Sequence, residues 1–367
     1  MVTKERVINL PVLKIGDLVA QIPIIQGGMG VGISLSGLAS AVANEGGIGV
    51  ISAAMIGMEE ADLAKNYVGA NIRALETEIR KAREKTKGIL GVNVMVALTN
   101  FADMVNTAIK EKVDILFCGA GLPLDLPKYL GEGIHTKLVP IVSSAKAAKI
   151  LCMKWLKNFN YLPDAFVVEG PLAGGHLGFK TDQIENPEYT LEKIIPEVVA
   201  AVKPFEDENN KKIPVIAAGG IYSGEDIDKF LKLGASGVQI ATRFVATVEC
   251  DADDKFKEEF IKSREDDMIL IDSPVGLPGR AIKNKFLEDV INGIKKPFSC
   301  PYQCIITCNF KQSAYCIALA LSNAKKGILN KGFAFAGKNA FRISKITTVK
   351  ELIKSLIEEF KVSAIGK

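Results

Sequence analysis

The sequence of 367 residues is short of long apolar runs, of histidine and of charge of one sign. Its most apolar stretches are broken by glycine and proline before they approach the roughly 18 residues of a membrane span, so no transmembrane helix is expected. Lysine and arginine total 46 against 42 aspartates and glutamates, a formal net charge of +4, and no basic tract stands out. That balance argues against nucleic acid or a membrane surface as the main partner. The N-terminal MVTKERVINLPVLKIGD carries charges where a secretory signal needs an apolar core, which points to the cytoplasm. The cysteines number seven, and Cys118, Cys152 and Cys250 are scattered through apolar or mixed segments. An odd, scattered set suits reduced thiols better than a disulfide framework. There is no low-complexity segment and no repeat beyond an alternation of strands and helices.

What is present is an ordinary globular balance, 48% apolar and 24% charged, able to bury a large core. Strand-length apolar runs begin at Ile22, Ile48, Ile89, Asp114, Leu138, Phe166, Pro214 and Gly237. Helical stretches separate them: Leu35–Asn44, Ala61–Lys85, Phe101–Lys112, a short one at Pro127–Leu130, Ala145–Leu156, Leu191–Val202 and Ser223–Leu233, with Phe256–Ser263 as the last. A polar loop is expected from Asp207 to Lys212. Non-alternating strands joined by helices imply a parallel sheet covered on both sides. Eight such units make a (β/α)8 TIM barrel over residues 1–265 the leading reading, with a doubly wound open sheet as the alternative. The unusual residues sit at the strand ends, which a barrel gathers on its C-terminal face. Residues 266–367 read as a mostly helical C-terminal subdomain over the barrel mouth. In it, Ser273 to Ile282 is a loop, and helices cover Ile317–Lys326 and Val349–Phe360.

The chain has only two histidines. His176 stands on a glycine-rich loop after the sixth strand, in FVVEGPLAGGHLGF, and a group whose charge changes readily near neutrality placed there points to proton transfer. His135 precedes the fifth strand and falls at the opposite end, on the surface. Gly219-Gly220 after strand seven and Gln239 to Thr242 after strand eight suggest a phosphate site, since barrels often hold phosphate with these loops. The plainer reading is turns and caps. Gln26-Gly27-Gly28-Met29 offers backbone against which a flat ligand could lie. Asn93 is a polar side chain in a buried strand and needs a partner. Cys300, Cys304 and Cys308 are spaced by four, with Cys316 further on. Four thiolates can hold zinc or an iron–sulfur cluster, but no paired C-x2-C pattern is present. They read as reduced cysteines packed between tail and barrel, and no metal site is assigned.

PIIQGGMG, GVN, GGHLG, IPVIAAGGI and GVQIATRF, in this order, resemble the nitronate monooxygenase (2-nitropropane dioxygenase) family of FMN-dependent barrels. The similarity runs over about residues 15 to 290. The FMN-dependent enoyl-acyl-carrier-protein reductases share the motifs. The resemblance implies FMN as cofactor and His176 as the catalytic residue. It places Gly27, Gly28 and Met29 along the flavin ring, with Asn93, Glu169, Gly174 and Gly175 beside it. It also implies that Gly219, Gly220, Gln239, Ile240, Ala241 and Thr242 hold the phosphate. Two departures stand out: Glu169 where many of the monooxygenases have Gln, and Ala241 where Gly is usual. The implied reaction is oxidation of an alkyl nitronate with O2 to a carbonyl compound and nitrite. The alternative is an NAD(P)H-dependent enoyl-thioester reductase, and a third reading is a flavin- or metal-binding protein without turnover. A small-molecule substrate is expected, with a homo-oligomer left open.

Overall fold

A parallel strand enclosed between a packed barrel interior and a ring of helices must be apolar on both faces. Such strands are β1 (Ile24–Gln26), β2 (Ile48–Ser52), β3 (Ile89–Met95), β4 (Ile115–Gly119), β5 (Lys137–Val142), β6 (Phe166–Glu169), β7 (Val215–Ala218) and β8 (Gly237–Ile240). In the computed structural model, which describes residues 10–294, 299–300 and 302–365, they form one closed barrel. Each strand pairs in parallel with its sequence neighbours, and β8 returns to β1. Ile25, Ile48, Val50, Phe117, Val139, Val167 and Ile216 fill the interior. Ile24, Ile51, Val92, Leu116, Val168 and Val238 face the helices. The first nine residues of the polar N-terminal stretch lie outside the described residues. Among the described residues no helix is long and apolar enough to cross a membrane.

Two features of the barrel were not expected. The segment before β1 folds as an antiparallel hairpin, Leu13–Ile15 with Leu18–Ala20. Its Leu13, Ile15 and Ala20 join the interior cluster, and Asp17 pairs with Lys137 at the start of β5, 2.5 Å away. The hairpin therefore plugs the N-terminal end. The helix after β6 runs from Leu191 to Asn209 and so absorbs the first part of the expected polar loop; Asn210, with φ +47°, ends it.

The tail is mainly helical in its regular structure (Lys285–Ile291, Ile317–Lys325, Val349–Ile365), but it opens with strands rather than with a loop. Met268–Asp272 and Pro278–Ile282 form an antiparallel hairpin, and the second strand pairs with Gly175–His176 from the loop after β6. A turn rich in glycine and proline between short apolar segments is a hairpin pattern, and it replaces the loop expected from Ser273 to Ile282. The last helix buries Leu352, Leu356 and Phe360, and its Glu359 accepts a 2.8 Å bond from the Gly224 amide at the start of the helix after β7. The tail thus grips both the mouth and the flank of the barrel.

Close packing leaves two glycines no room for a side chain. A Cβ at Gly91 would lie 2.6 Å from the Phe117 ring, and one at Gly49 would lie 1.8 Å from the Ala39 carbonyl oxygen. Gly91→Ala is expected to lose about 1–3 kcal/mol, because a ring can shift. Gly49→Ala is expected to lose more, because its obstacle is backbone. Urea unfolding of the two variants checks the order; equal losses would contradict it.

Candidate active site

Alternation along each strand decides which side chains reach the mouth. Counting outward from the interior positions places Ser52, Asn93, Gly119, Ile141, Glu169 and Gln239 in the top layer, pointing inward, and all of them line a cavity of about 270 Å³. Gly27 to Gly30 and Ala241-Thr242 contribute backbone at its floor and side. The tail supplies the opposing wall with Val275, Cys304, Ile305, Ile317, Leu321 and Phe335.

His176 is fixed from three directions. Its strand pairs with Gly279 and Arg280. Its Nε2 is 2.7 Å from Ser273 Oγ, and its ring stands edge-on to Phe335 with centroids 5.0 Å apart. Burial holds its pKa down to about 4, so the imidazole is neutral at physiological pH. The loop that carries it is tied down by Arg280, which is only 4% exposed. Its guanidinium donates to the carbonyls of Pro171 at 2.6 Å and Ala173 at 2.7 Å. Burial lowers the Arg280 pKa to about 10, which still leaves a cation at neutral pH.

Glu169 ends β6 and faces the cavity. Burial pushes its pKa up to about 7, and no hydrogen bond offsets that desolvation. The site thus joins a base that resists protonation to an acid that holds its proton unusually well.

Most of the expected site residues converge. Gly27, Gly28, Met29, Asn93, Glu169, Gly174, Gly175, His176, Gln239, Ala241 and Thr242 share the cavity. Three do not. The Ile240 side chain lies in the helix-facing core, and only its carbonyl turns to β1, accepting from the Gly27 amide at 2.9 Å. Gly219 and Gly220 line a second cavity of about 250 Å³ with Arg280, Lys229 and Lys338. The tail segment at 336–339 separates the two spaces: the Gly337 amide donates to Thr242 Oγ1 at 3.1 Å, and Asn339 Nδ2 donates to the Gly220 carbonyl at 2.6 Å. Ser223 caps its helix in a reciprocal pair with Asp226. His135 is exposed at the start of β5, away from the cavity. Ser273, Arg280 and Phe335 complete the site and were not picked out from sequence; the hairpin pattern around Pro278 was the one local signal for the first two.

Residues 13–359 match the family model for nitronate monooxygenase. A probable nitronate monooxygenase of Staphylococcus aureus (strain Newman) is 27% identical over 304 residues, covering 73% of this chain and 77% of that protein. A carboxyl-CoA dehydrogenase of Mycobacterium tuberculosis acting on a hydroxy-methyl-oxo-octahydroindene is 27% identical over 271 residues, 74% of this chain and 66% of that one. Among solved structures, FabK from Thermotoga maritima superposes with a TM-score of 0.71 at 29% identity over 94% of both chains. Nitroalkane oxidase from Streptomyces ansochromogenes gives 0.72 at 21% identity, over 94% of this chain and 97% of that one, a likeness of fold. The protein is an oxidoreductase built on a (β/α)8 barrel. It belongs to the nitronate monooxygenase family.

The two perturbed groups make opposite contributions to stability. Unfolded, the imidazole takes its proton near pH 6.5, but in the fold only near 4, so His176 lowers stability as pH falls through that window. The Glu169 carboxyl takes its proton near 7 in the fold and near 4.5 unfolded, so it raises stability as pH falls from 7 to 4.5. Between 6.5 and 4.5 the two largely offset. Glu169→Gln removes one of them and is expected to steepen the loss on acidification, relative to the unmodified protein, by up to ~1.4 kcal/mol per pH unit. Urea midpoints across that range measure it, and parallel curves would refute it.

Proposed function

We propose that the protein is an FMN-dependent oxidoreductase that oxidises alkyl nitronates with O2 to a carbonyl compound and nitrite, with His176 as its catalytic residue. The observation that carries this reading is the neutral imidazole pinned in the wall of a largely apolar cavity whose floor is glycine backbone. The residues fit a flavin. Gly27 and Gly28 would offer backbone to a flat ring, and Asn93 and Gln239 in the same lining would offer it amide groups. A Cβ at Gly175 would meet nothing within 4 Å, so a side chain there would take up cavity space that the glycine leaves free. We assign Gly27, Gly28, Met29, Asn93, Glu169, Gly174, Gly175, Gln239, Ala241 and Thr242 to holding the cofactor, with Gly219, Gly220 and the Ile240 backbone as a supporting layer behind them.

FMN, when bound, supplies the electron-accepting chemistry. The chain supplies position and one proton-transfer group. Ser273 engages His176 Nε2 and leaves Nδ1 to bond a nitronate oxygen, or to take the α-proton where a neutral nitroalkane is the substrate. Asn93 orients, and the tail wall of Val275, Ile305, Ile317 and Leu321 keeps water from the reacting carbon. We further propose residues 266–367 as a subdomain whose inner face shapes the substrate space, and the cytoplasm as the site of action.

A second reading, an NAD(P)H-dependent enoyl-thioester reductase, draws support from the likeness to FabK over 94% of both chains and from Glu169, a carboxyl that keeps its proton to about pH 7. Anaerobic mixing separates the two. Under the monooxygenase reading an alkyl nitronate bleaches the flavin and NADPH alone does not; rapid bleaching by NADPH without nitronate would sink it. His176→Ala is expected to keep the flavin and to lower nitrite release by about 10²–10⁴-fold. Because the imidazole stays neutral down to about pH 4, turnover should show no histidine-linked loss between pH 8 and 5.

A further inference from the structure

Arg280 is a nearly fully buried cation without an anion beside it. Of the guanidinium's donors only Nη1 is used, on the carbonyls of Pro171 and Ala173. Among the described residues Arg280 has no ion-pair partner, and its Nε and Nη2 have no acceptor. Burial lowers its pKa more than the distant carboxylate of Glu185, itself exposed, raises it. A buried charge is ordinarily paired, because desolvation without a partner is costly. The unused Nε–Nη2 edge is the part of a guanidinium that matches the two oxygens of a carboxylate.

That cation lines the second cavity, of about 250 Å³, together with Lys338. Lys338 is half-buried, and its amide donates to the Leu172 carbonyl at 3.0 Å. Among the described residues its ammonium has neither an ion pair nor a hydrogen bond. Lys229, the third cation of the lining, is already matched by Glu192 at 2.8 Å. The cavity therefore offers two unmatched positive groups. Beside them stand Leu191, Phe230, Met268 and Leu270, an apolar wall that a small hydrated anion would leave uncovered.

We propose that this cavity is a second binding site, for a carboxylate that carries an apolar chain. The carboxylate seats on the free edge of Arg280 and on Lys338, and the chain lies against Phe230, Met268 and Leu270. The site is separate from the cofactor space, since the segment at 336–339 stands between them. Arg280 also holds the loop that carries His176, so an occupant that needs the guanidinium in place favours the ordered loop by the same free energy.

The full chain, with FMN in excess so that a phosphate subsite of the cofactor is not what is read, is titrated with octanoate by calorimetry at constant ionic strength. One equivalent is expected to bind. Octanol and inorganic phosphate are each expected to bind at least about tenfold more weakly, because each lacks one half of the match. Lys338→Met keeps the reach of the side chain without its charge. It is expected to weaken octanoate by about tenfold or more while leaving the melting temperature of the ligand-free protein unchanged. No binding of octanoate, equal binding of octanol or phosphate, or undiminished affinity in the folded Lys338→Met variant would overturn the assignment. Binding is read without turnover, so failure of the nitronate reaction leaves this test intact.

Discussion

The carbonyls of Pro171 and Ala173 are buried, and the guanidinium of Arg280 donates to both. An unpaired buried carbonyl costs about 1–3 kcal/mol, so the loop after β6 holds its path only while that cation is present. The same strand that delivers Arg280 also forms the backbone pairing with Gly175 and His176. One tail strand therefore sets the loop's course, the direction of the imidazole and the width of the cavity. Gly174 is pressed so close to the tail that a Cβ there would stand 2.4 Å from the Ala336 carbonyl carbon.

Burial has one further effect at the mouth. Among the described residues the lining contains no lysine or arginine, and its titratable groups are Glu169, His176 and the Cys304 thiol. Burial moves the pKa of each toward its uncharged form. Among these groups the imidazole and the thiol are uncharged at neutral pH, and Glu169, with its pKa near 7, is the one that still carries part of a negative charge. Orientation has to come from hydrogen bonds, which is the role open to His176 and Asn93.

The regular parts of this architecture were legible because each strand and its helix are encoded within a few dozen residues. Continuous apolar runs marked the barrel strands, and glycines beside His176 marked the loop. The two hairpins were harder: the one at 13–20 has three-residue strands, too short for a period to show. Ser273 lies far from His176 in sequence, and no local pattern links them. Gly219 and Gly220 were assigned to the same space as Thr242 by the general behaviour of barrels. The segment at 336–339 wedges between them, and that is a tertiary contact with no local trace. Ile240 could have been placed by alternation alone, since Gln239 faces inward.

The order in which the chain is made bears on the strand that pairs with His176. All eight barrel strands precede residue 241, while Ser273, Arg280 and Phe335 come after it. During synthesis domains form from the N-terminal end, so the emerging polypeptide can close its barrel before the partners of His176 have left the ribosome. For that interval the barrel has its histidine but neither the wall nor the clamp that aims it. The segment translated after the barrel is what turns a closed barrel into one with a formed site.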